Sequence, residues 1–595
     1  MVASFALLDL PGGGGLLFSD LRETIPVVDA GSFQQGCARA EAAAAQGWHV
    51  VAALDYELGY ALEPAVKAGS KKPSDAHAGS SLGHFWVFSE RQVLDASQYA
   101  THLAALSGLP PRPASVENFV PQLHAAAYSR GAEKILDYIA AGDCYQVNLT
   151  FPFTGTCIGD PLALYARLRS AQPVACGGLI VTPSRCVLSL SPELFVERHK
   201  GRLHARPMKG TAPRSRDTST DNEAKAGLQA SAKDRAENVM IVDLIRNDLG
   251  RVAQPGSVVV ESLCDIESYP SVHQMTSSVS AACDADLATV LTALFPCGSI
   301  TGAPKVRAMQ IIHELESAPR GLYTGAIGWV GAGGDFSFNV AIRTLQVAAD
   351  GQVAYGVGSG VVADSQPAAE YAECLLKASF VTQADPGFRL IETLRLEGGA
   401  YPLLDLHLAR LLHSARALAF TCEESDVRAL LLAKASQHPH GVMRVRLTLG
   451  RAGDFEVTLA ALPPTPEDMQ VVVSKRRVHS SDPWLRHKTT VRDVYEAELV
   501  ALQSRPQVFD ALFFNERGEL AEGARSSIFL RKAAGQALLT PALTCGVLPG
   551  VLRHSLLLSG QAEEAVLNEA DLLAAVELYL GNALRGLIPV TLTVT

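Results

Sequence analysis

The sequence has one pronounced break between two long patterned stretches, and this break constrains the fold more than any other feature. At 381–387 (VTQADPG) a helical pattern gives way to a Pro-Gly pair, and a strand-like run, FRLIETLRL, follows at once. We therefore expect a first unit over 1–380, a linker at 381–387 and a second unit over 388–595.

Strand patterns and amphipathic helix patterns alternate along the chain. Short β-rich runs bounded by Gly, Pro, Asp or Ser predict strands at 186–190, 257–263, 325–331 and 352–357. Apolar residues at helical spacing predict helices at 128–141, 233–246, 304–316 and 366–379. Interleaved elements of this kind favour a layered α/β or α+β fold.

Composition excludes several functional classes. The 51 Lys+Arg against 61 Asp+Glu give a net charge of −10, and no basic block compensates locally, which disfavours nucleic-acid binding. No apolar run approaches the ~18 residues of a membrane span, and the N-terminus lacks the basic region of a secretory signal. Eleven cysteines without a CxxC pair are typical of reduced thiols. We expect a cytoplasmic enzyme that binds neither nucleic acid nor membrane.

Two of the predicted helices carry carboxylates three residues apart. Asp234 and Glu237 lie in KDRAEN, and Glu370 and Glu373 lie in AAEYAEC, so each pair occupies one helix face. The ordinary interpretation of either pair is a solvated face. If the two helix ends face each other, their oxygens suit Mg²⁺, which prefers carboxylates and retains water ligands.

Two residues outside these helices could carry acid–base or nucleophilic chemistry. Lys209, in ARPMKGTAPR, is either an ordinary exposed lysine or an amine whose pKa is lowered enough for it to act as nucleophile or base. Glu193, in SPELF, has apolar neighbours, and such surroundings can raise the pKa of a carboxyl so that it acts as a general acid.

Together these motifs resemble the chorismate-utilising enzymes, which include anthranilate, aminodeoxychorismate, isochorismate and salicylate synthases. The resemblance runs in order from about 120 to 380. It rests on AGDCYQVNLT (141–150), SPELF (191–195), RPMKGTAPR (206–214), DRAENVMIVDLIRNDLGRV (234–252), HQMTSSV (273–279), FPCGSITGAPKVRAMQ (295–310), FNVAIRT (338–344) and GVGSGVVADSQPAAEYAECLLKA (356–378). It implies a large chorismate-binding domain of layered β-sheet and helices.

The resemblance implies a role for each candidate in the first unit. Glu237 and Glu373 correspond to Mg²⁺ ligands, and Asp234 and Glu370 to residues that reach the ion through water. Glu193 corresponds to the acid that protonates the departing C4 hydroxyl. The chorismate pocket corresponds to Gln146, His273, Thr301, Tyr323, Arg343, Gly358, Gly360 and Lys377. In that pocket the guanidinium fork of Arg343 would meet the enolpyruvyl carboxylate.

Two positions discriminate between members of this family. Members that add water at C2 carry Lys where this chain has Gln146, because water needs a base to become a nucleophile whereas ammonia does not. Anthranilate synthases carry Ala where this chain has Lys209, and aminodeoxychorismate synthases carry Lys. By that resemblance Lys209 attacks C2 as the C4 hydroxyl leaves, and ammonia then enters at C4 and expels the lysine.

The second unit contains a lysine, an acid and a Gly-Pro turn in an order that suits a pyridoxal phosphate enzyme. Lys488 lies in RHKTTVRDVYEAEL, Glu522 in GELAEGARSSIFL, and a Gly-x-x-Pro-Gly turn in TPALTCGVLPGVLR. Each feature alone could be a solvated residue or an ordinary turn. In this order they supply a lysine for the cofactor, an acid for its ring nitrogen and backbone N–H groups for its phosphate.

These segments, with LIETLRLEGGAYPLLDLHLARLLHSA (390–415), resemble the fold-type IV aminotransferases, a group that also contains aminodeoxychorismate lyase. The resemblance covers 388–595 and implies a two-lobed domain. In it Lys488 would bind the cofactor and move a proton, and Glu522 would pair with the ring nitrogen. The phosphate would be held by Arg410 and the backbone amides near Val551 and Leu552.

The sequence departs from this group at two positions of the expected cofactor site. Ser527 and Ala583 stand where relatives often have Asn and a hydroxyl residue. The missing hydroxyl at Ala583 would weaken one contact with the phosphate.

The two resemblances together imply a bifunctional enzyme that converts chorismate and ammonia to 4-amino-4-deoxychorismate and then expels pyruvate to give 4-aminobenzoate for folate synthesis. The residues of the second unit do not separate a lyase from a transaminase, but the fusion does. Neither assigned unit shows a glutaminase motif, so ammonia is expected from a separate glutamine amidotransferase subunit or from free ammonium. Relatives of the second unit usually place their sites at a dimer interface, which implies a homodimer.

Two alternatives remain at this point. One is an anthranilate synthase large subunit fused to an amino acid aminotransferase, against which Lys209 argues. The other is a non-catalytic scaffold that recruits the amidotransferase and binds neither Mg²⁺ nor pyridoxal phosphate.

Overall fold

The computed structural model describes residues 4–69, 81–215, 217–268, 272–465 and 467–593. The chain divides into two compact units, of which the first comprises Met1–Pro111 and Phe119–Ala384, and the second Arg112–Asn118 and Asp385–Thr595. Helices and strands are mixed in both, which confirms the predicted fold class. The segment Arg112–Asn118, with first-unit residues on either side of it in the chain, was not anticipated from the sequence.

The first unit is built on one large sheet in which every paired strand is antiparallel to its neighbour. Its strands are β1 (Phe5–Asp9), β2 (Gly15–Val27), β3 (His49–Leu54), β4 (Gly83–Leu94), β5 (Ala114–Pro121), β6 (Gln146–Gly159), β7 (Gly178–Val181), β8 (Arg185–Ser189), β9 (Leu194–His199), β10 (Arg202–Arg206), β11 (Met208–Pro213), β12 (Val259–Ser268), β13 (Val272–Ala282), β14 (Gly302–Ala303), β15 (Ala326–Val330), β16 (Phe336–Val340), β17 (Thr344–Ala348) and β18 (Gln352–Val361). The first part of β5, up to Asn118, belongs to the segment assigned to the second unit. Neighbours run β14-β6-β18-β17-β8-β7-β1-β2-β4-β3-β15-β16-β9-β10-β13-β12, and β11 pairs with β13 beyond the end of β10.

Helices cover this sheet, and several begin at an aspartate whose side chain accepts a backbone N–H of the first turn, the usual N-cap arrangement. They are α1 (Ala30–Ala45), α2 (Leu58–Leu62), α3 (Pro64–Gly69), α4 (Ala96–Ser107), α5 (Ala125–Ala140), α6 (Pro161–Ala171), α7 (Thr218–Ala230), α8 (Ala232–Gly250), α9 (Leu287–Leu294), α10 (Lys305–Leu315) and α11 (Pro367–Gln383). The four helices predicted from periodicity correspond to α5, α8, α10 and α11. The main core packs apolar residues of α1, α8 and α9 against the sheet.

Helix α11 extends into the stretch that the sequence predicted as a linker. Helix α11 continues to Gln383, and Ala384 is the first residue with extended backbone angles. The helix stops just ahead of Pro386, whose ring disfavours helical geometry in the residue before it. Residues 381–383 are therefore helical.

The second unit has two sheets, which correspond to the two expected lobes. The smaller sheet, in the order β19-β20-β21, packs with α12 and α13; the members are β19 (Leu390–Glu397), α12 (Leu404–Ala417), α13 (Glu424–Ser436), β20 (Val442–Leu449) and β21 (Phe455–Ala461). The larger sheet has the order β24-β23-β22-β29-β28-β25-β26-β27. Its lobe contains β22 (Met469–Val478), α14 (Asp493–Ala501), β23 (Val508–Asn515), β24 (Leu520–Gly523), β25 (Ser527–Arg531), β26 (Leu538–Pro541), α15 (Val551–Leu558), β27 (Ala562–Ala565), α16 (Glu569–Leu573), β28 (Glu577–Asn582) and β29 (Gly586–Thr593).

Within the described ranges, no helix is both long and apolar enough to cross a membrane. All eleven cysteines are free thiols.

The start of β6 is held tightly by the short strand β14. Gly302 pairs with Val147 and Ala303 with Gln146. Gly302 has a φ of +138°, and a Cβ there would lie 2.2 Å from the carbonyl oxygen of Gln146. Only glycine fits this close approach, which sets the position of Gln146.

Replacing Gly302 by Ala should therefore destabilise the first unit by about 2 kcal/mol or more, because the new Cβ forces β14 away from β6. Gly227 in α7 is the matched control, since nothing lies within 4 Å of a Cβ built there. Gly227→Ala should be neutral or stabilising by up to about 1 kcal/mol. Denaturant unfolding of both variants provides the measurement, and equal midpoints for the two would contradict this account of β14.

Candidate active sites in the two units

Gln146, the first residue of β6, is buried with a side-chain amide that no described residue satisfies. A Cβ built on Gly360 of β18 would lie 2.8 Å from its Nε2, so the amide lies against the bare backbone of β18. A buried amide without partners costs about 1–3 kcal/mol, and such groups in native proteins call for an explanation. A polar ligand beside β18 would supply the missing hydrogen bonds.

The glycines of β18 have no side chain, so neighbouring residues approach the backbone of this strand closely. A Cβ at Gly358 would lie 2.7 Å from the methyl carbon of Thr150, and one at Gly356 would overlap the ring of Tyr323. The carbonyl of Gly358 accepts a hydrogen bond from Lys377 Nζ at 3.0 Å. The predicted pocket residues on β6, β18 and α11 are thus close neighbours, and Tyr323 lies against the same strand.

Glu193 is a buried carboxyl on the edge of β9. The hydroxyl of Ser299 donates to its Oε1 at 2.7 Å. Burial raises the pKa of Glu193, although Ser299 and the positive charge of Lys209 oppose the rise. Glu193 is therefore held toward its protonated form, and Lys209 on β11 is close enough to act on it electrostatically. The sequence motifs had given no role to Ser299.

The four predicted metal ligands lie in the first two turns of α8 and α11, but the structure does not gather them into one cluster. Among the described residues, no group of three or more His, Cys, Asp or Glu side chains is placed to hold a metal ion. The carboxylate of Glu370 accepts from the hydroxyls of Ser359 and Ser365, and Glu373 pairs with Lys377 at 2.7 Å. Local partners thus hold both α11 carboxylates.

The two helix ends are nevertheless close. Lys233 of α8 lies 3.8 Å from Asp364, just before α11, and its charge acts on Glu370. Gly210, next to Lys209, approaches Asp234 so closely that a Cβ there would lie 2.9 Å from the Asp234 carboxylate. The donor set suits Mg²⁺ chemically, and Glu373 would have to leave Lys377 to join a closed cluster.

The other predicted pocket residues differ in how far they are free to bind a ligand. His273 is buried with its two ring nitrogens 3.1 Å from Asp221 and 2.9 Å from Ser268, so neither nitrogen is open. The hydroxyl of Thr301 donates to the carbonyl of Cys297 at 2.8 Å. Arg343 has a φ of +50°, and its guanidinium makes no hydrogen bond or ion pair in the described part of the chain. Arg343 is therefore the one of these side chains with an uncommitted charge, in a strained backbone conformation typical of binding sites.

A cavity of about 770 Å³ lies in the second unit. Its wall includes every residue that the sequence predicted for the cofactor: Lys488, Glu522, Arg410, Ser527, Val551, Leu552 and Ala583. This volume suits a cofactor together with a small substrate.

Lys488 and Glu522 both have pKa values shifted by burial. Burial, reinforced by the charges of Arg492 and Arg410, lowers the pKa of Lys488 to about 7. Burial raises the pKa of Glu522, whose carboxyl accepts from the hydroxyl of Tyr495 at 2.7 Å and from the N–H of Leu548 at 3.0 Å. The cavity therefore holds a lysine that is substantially neutral at pH 7, which is the form that attacks a carbonyl.

Arg410 is held rigidly by a residue that sequence reasoning missed. Glu392 of β19 accepts two hydrogen bonds from the Arg410 guanidinium, at 2.8 and 2.6 Å, and also lies 2.6 Å from the ring of His407. Burial opposes the charge of Glu392, but Arg410 and His407 lower its pKa to about 2. The guanidinium is thus fixed at the cavity wall by a bidentate pair.

The start of α15 offers a phosphate site beside Arg410. The helix begins at Val551, and the first N–H groups of a helix have no partner within it, which suits an anion. A Cβ on Gly550 would lie 2.8 Å from the Ser527 hydroxyl, so the loop keeps a cradle that a side chain would fill. These features together fit pyridoxal phosphate: Glu522 its ring nitrogen, Lys488 its aldehyde and the start of α15 its phosphate.

Two further arginines line the same cavity without a described partner. Arg444 and Arg446 alternate with buried Val445 and Leu447 on β20, so both side chains lie on the cavity side. Arg444 also stands directly opposite Arg395 of β19, an unfavourable like-charge pair. The RVR pattern in the sequence could have revealed these residues, since alternation on a strand places charges on one face.

The chain matches two family models. The chorismate binding enzyme model covers residues 23–383, and the amino-transferase class IV model covers 389–593. Aminodeoxychorismate synthase component 1 of Klebsiella aerogenes is 46% identical over 254 residues, which are 42% of this chain and 56% of that protein. Anthranilate synthase component 1 of Streptomyces coelicolor (strain ATCC BAA-471 / A3(2) / M145) is 40% identical over 288 residues, 46% of this chain and 55% of that one. The chain thus spans about half the length of the curated relatives it matches.

Solved structures support the same fold for the first unit. Anthranilate synthase component I from Streptococcus pneumoniae TIGR4 covers 64% of this chain and 91% of its own, with 24% identity and a TM-score of 0.51. This likeness shows the fold of the first unit, and the residues of the site must decide its chemistry.

The protonation of Lys488 can be tested in the apoprotein. Labelling of Lys488 by an amine-reactive reagent, followed by peptide mass spectrometry, should show a midpoint near pH 7, whereas an unperturbed lysine titrates near ~10.4. Arg492→Met should raise the midpoint, because one of the charges that disfavour the ammonium form is removed. A midpoint above pH 9 in the parent protein would contradict the buried position of Lys488.

Proposed function

We infer the function from the premise that the chain belongs to the chorismate binding enzyme family and carries an amino-transferase class IV domain after it. We propose that the first unit converts chorismate and ammonia to 4-amino-4-deoxychorismate. The second unit then expels pyruvate from this intermediate to give 4-aminobenzoate, a precursor for folate synthesis.

The observation that carries this proposal is that Lys209 lies close enough to act electrostatically on the buried Glu193, whose pKa burial raises. The two side chains supply the two groups that the first reaction needs, a nucleophile and an acid. Anthranilate formation requires no nucleophile from the protein at this position, so Lys209 favours nitrogen at C4.

In the proposed first step, the amine nitrogen of Lys209 attacks C2 of chorismate, the double bonds shift, and the C4 hydroxyl leaves as water with the proton of Glu193. Ammonia then attacks C4, the double bonds shift back, and the bond to Lys209 breaks. Breaking of the bond to C2 restores the amine of Lys209. The new nitrogen at C4 gives its extra proton to the carboxylate of Glu193, which restores the acid. Gln146, which cannot act as a base, suits ammonia rather than water as the incoming nucleophile.

Two charged groups are proposed to hold the carboxylates of chorismate. Arg343 offers an uncommitted guanidinium for the enolpyruvyl carboxylate. Mg²⁺ would be held by Glu237 and Glu373, with Asp234 and Glu370 reaching it through water, and would supply positive charge near the ring carboxylate. Binding of the ion would draw Glu373 away from Lys377.

In the second unit, pyridoxal phosphate when bound supplies an electron sink for the charge that remains after a proton is removed from C4. Arg410 and the first N–H groups of α15 would hold its phosphate, and Glu522 would lie at its ring nitrogen. Lys488 is the base that takes the C4 proton, since its neutral amine is accessible near pH 7. Loss of the enolpyruvyl group as pyruvate then leaves an aromatic ring.

The arginines of the cavity match the charge of the proposed intermediate. 4-Amino-4-deoxychorismate carries two carboxylates, and Arg444 and Arg446 are two cations without partners among the described residues. An amino acid with an apolar side chain would leave one of them unmatched. The cavity therefore favours a dicarboxylate over the substrate of a general amino acid aminotransferase.

Neither alternative explains these features as well. An anthranilate synthase has no use for Lys209 as a nucleophile, and an aminotransferase that acts on an apolar amino acid would leave one cavity arginine unmatched. A non-catalytic scaffold has no reason to keep the buried Lys488 and the buried Glu193, since burial disfavours the charged form of each.

The remaining proposals concern partners and location. A separate glutamine amidotransferase subunit would supply ammonia, and the second unit would form a homodimer. A cytoplasmic location suits the eleven free thiols.

The proposal predicts that chorismate, ammonium, Mg²⁺ and pyridoxal phosphate give 4-aminobenzoate and pyruvate in equal amounts. Lys488→Ala should consume chorismate but stop at 4-amino-4-deoxychorismate, because the base of the second step is gone. Lys209→Ala should reduce chorismate consumption at least about 100-fold, because the first nucleophile is gone. Product chromatography follows both steps.

Chelation of Mg²⁺ should stop the first step while added 4-amino-4-deoxychorismate is still converted, which separates the two sites. Release of 4-aminobenzoate by Lys488→Ala would show that the second unit is wrongly assigned. Accumulation of anthranilate by the parent protein would show that the first unit is wrongly assigned.

A further inference from the structure

The segment Arg112–Asn118 is built into the second unit, although the chain on both sides of it belongs to the first. The N–H of Ala114 donates to the carbonyl of Pro386 at 3.0 Å. The hydroxyl of Ser115 accepts a hydrogen bond from the guanidinium of Arg451 at 2.8 Å. Main-chain and side-chain bonds thus both join this segment to the second unit.

Glu117 uses both carboxylate oxygens inside the second unit. Oε1 lies 3.1 Å from Nε2 of His487, and Oε2 accepts from the guanidinium of Arg486 at 2.5 Å. Burial opposes the charge of Glu117, but His487 and Arg486 lower its pKa below the usual value. Glu117 is therefore a charged anchor within a largely buried cluster.

His487 transmits this anchoring to the cofactor lysine, because it immediately precedes Lys488. Its imidazole is fully buried, with Glu117 at one nitrogen and the Ser414 hydroxyl 3.0 Å from the other. The carbonyl of Lys488 itself accepts from the N–H of Ile391 at 2.9 Å. Contacts on either side thus fix the backbone that carries the Lys488 side chain.

A Ser–His–Glu triplet also occurs in hydrolases, where it activates the serine. Here Ser414, His487 and Glu117 are all buried, and none of them lines the cavity of the second unit. A substrate in the cavity would not reach the Ser414 hydroxyl, so the triplet fits a positioning role and not a nucleophilic one.

We propose that Glu117 is a positioning residue for Lys488: by holding His487 it sets where the cofactor lysine enters the cavity. The second unit then depends on a residue encoded far ahead of its main body, within the first part of the chain. This inference rests on the proposed role of Lys488 but not on the identity of the substrate.

A displaced Lys488 would lose the surroundings that favour its neutral form. The charged groups that act on it are Arg492 and Arg410, which lower its pKa, and Glu392 and Glu522, which raise it. If the lysine moves toward water, the effect of burial is lost and its pKa returns toward ~10.4. Weaker cofactor binding and a higher pH for lysine attachment should therefore appear together.

The test uses the full-length apoprotein and pyridoxal phosphate as the probe. Cofactor affinity is measured by absorbance titration, and attachment to Lys488 by borohydride trapping and peptide mass spectrometry across pH. Glu117→Ala should weaken binding at least 10-fold and raise the pH midpoint of attachment by one unit or more. Glu117→Gln should recover most of both, because its amide oxygen still accepts from Nε2 of His487.

Two controls separate positioning from general stability. Arg486→Ala removes the exposed partner of Glu117, and Ser115→Ala removes the contact of the same segment with Arg451; both should stay within twofold of the parent. Ammonium-dependent consumption of chorismate should be unchanged in all four variants. If Glu117→Ala does not fold, the comparison of Glu117→Gln with Arg486→Ala replaces it. We then expect slightly weaker binding of pyridoxal phosphate and a slightly higher pH midpoint of attachment in Glu117→Gln, and neither change in Arg486→Ala.

The positioning role would be overturned if cofactor affinity and the pH midpoint of attachment were unchanged in both Glu117 variants. If Glu117→Ala does not fold, unchanged values in Glu117→Gln would overturn it. Failure of the parent protein to attach pyridoxal phosphate at Lys488 would instead refute the cofactor assignment on which the inference rests.

Discussion

A buried ion pair fixes the strand on which the first site is built. The guanidinium of Arg320 donates to Glu316 at 2.8 Å and to the carbonyl of Asn148 at 2.7 Å, while Glu316 accepts from the N–H of Thr150 at 2.9 Å. The ring of Tyr56 lies 4.3 Å from the guanidinium. Because both charges are removed from water, the pair is favourable only with all these partners in place, and breaking it should be strongly destabilising. The start of β6 and the pocket along β18 depend on this arrangement.

Burial shifts the pKa of one key residue in each unit, upward for Glu193 and downward for Lys488. In the first unit it raises the pKa of Glu193 and so favours the acid form of that carboxyl. In the second it lowers the pKa of Lys488 to about 7 and so favours the neutral amine. Each shift destabilises the folded chain at neutral pH, which makes these two residues candidates for a functional role. The net charge of −10 does not conflict with an anionic substrate, because cations such as Arg343 and Arg446 act locally.

Local sequence patterns predicted the elements well and the connections between distant elements poorly. The carboxylate pairs on α8 and α11 were readable because helical spacing is a local property. The bond from Ser299 to Glu193 and the pair of Glu392 with Arg410 join residues that only the folded chain brings together. The placement of Glu117 within the second unit has no signal in the sequence at all, since a short strand-like run does not reveal its partner. The metal site stays a prediction, because the carboxylate of Glu370 binds two serines and that of Glu373 binds a lysine.

In the function proposed for the first unit, Lys209 directs nitrogen to C4 of chorismate. The most direct measurement is NMR of the product that the Lys488→Ala protein accumulates from chorismate and ¹⁵N-ammonium, since this variant stops before the second reaction. We expect one ¹⁵N bonded to C4 of a ring that still carries its enolpyruvyl group. Nitrogen at C2, or a hydroxyl retained at C4, would contradict it.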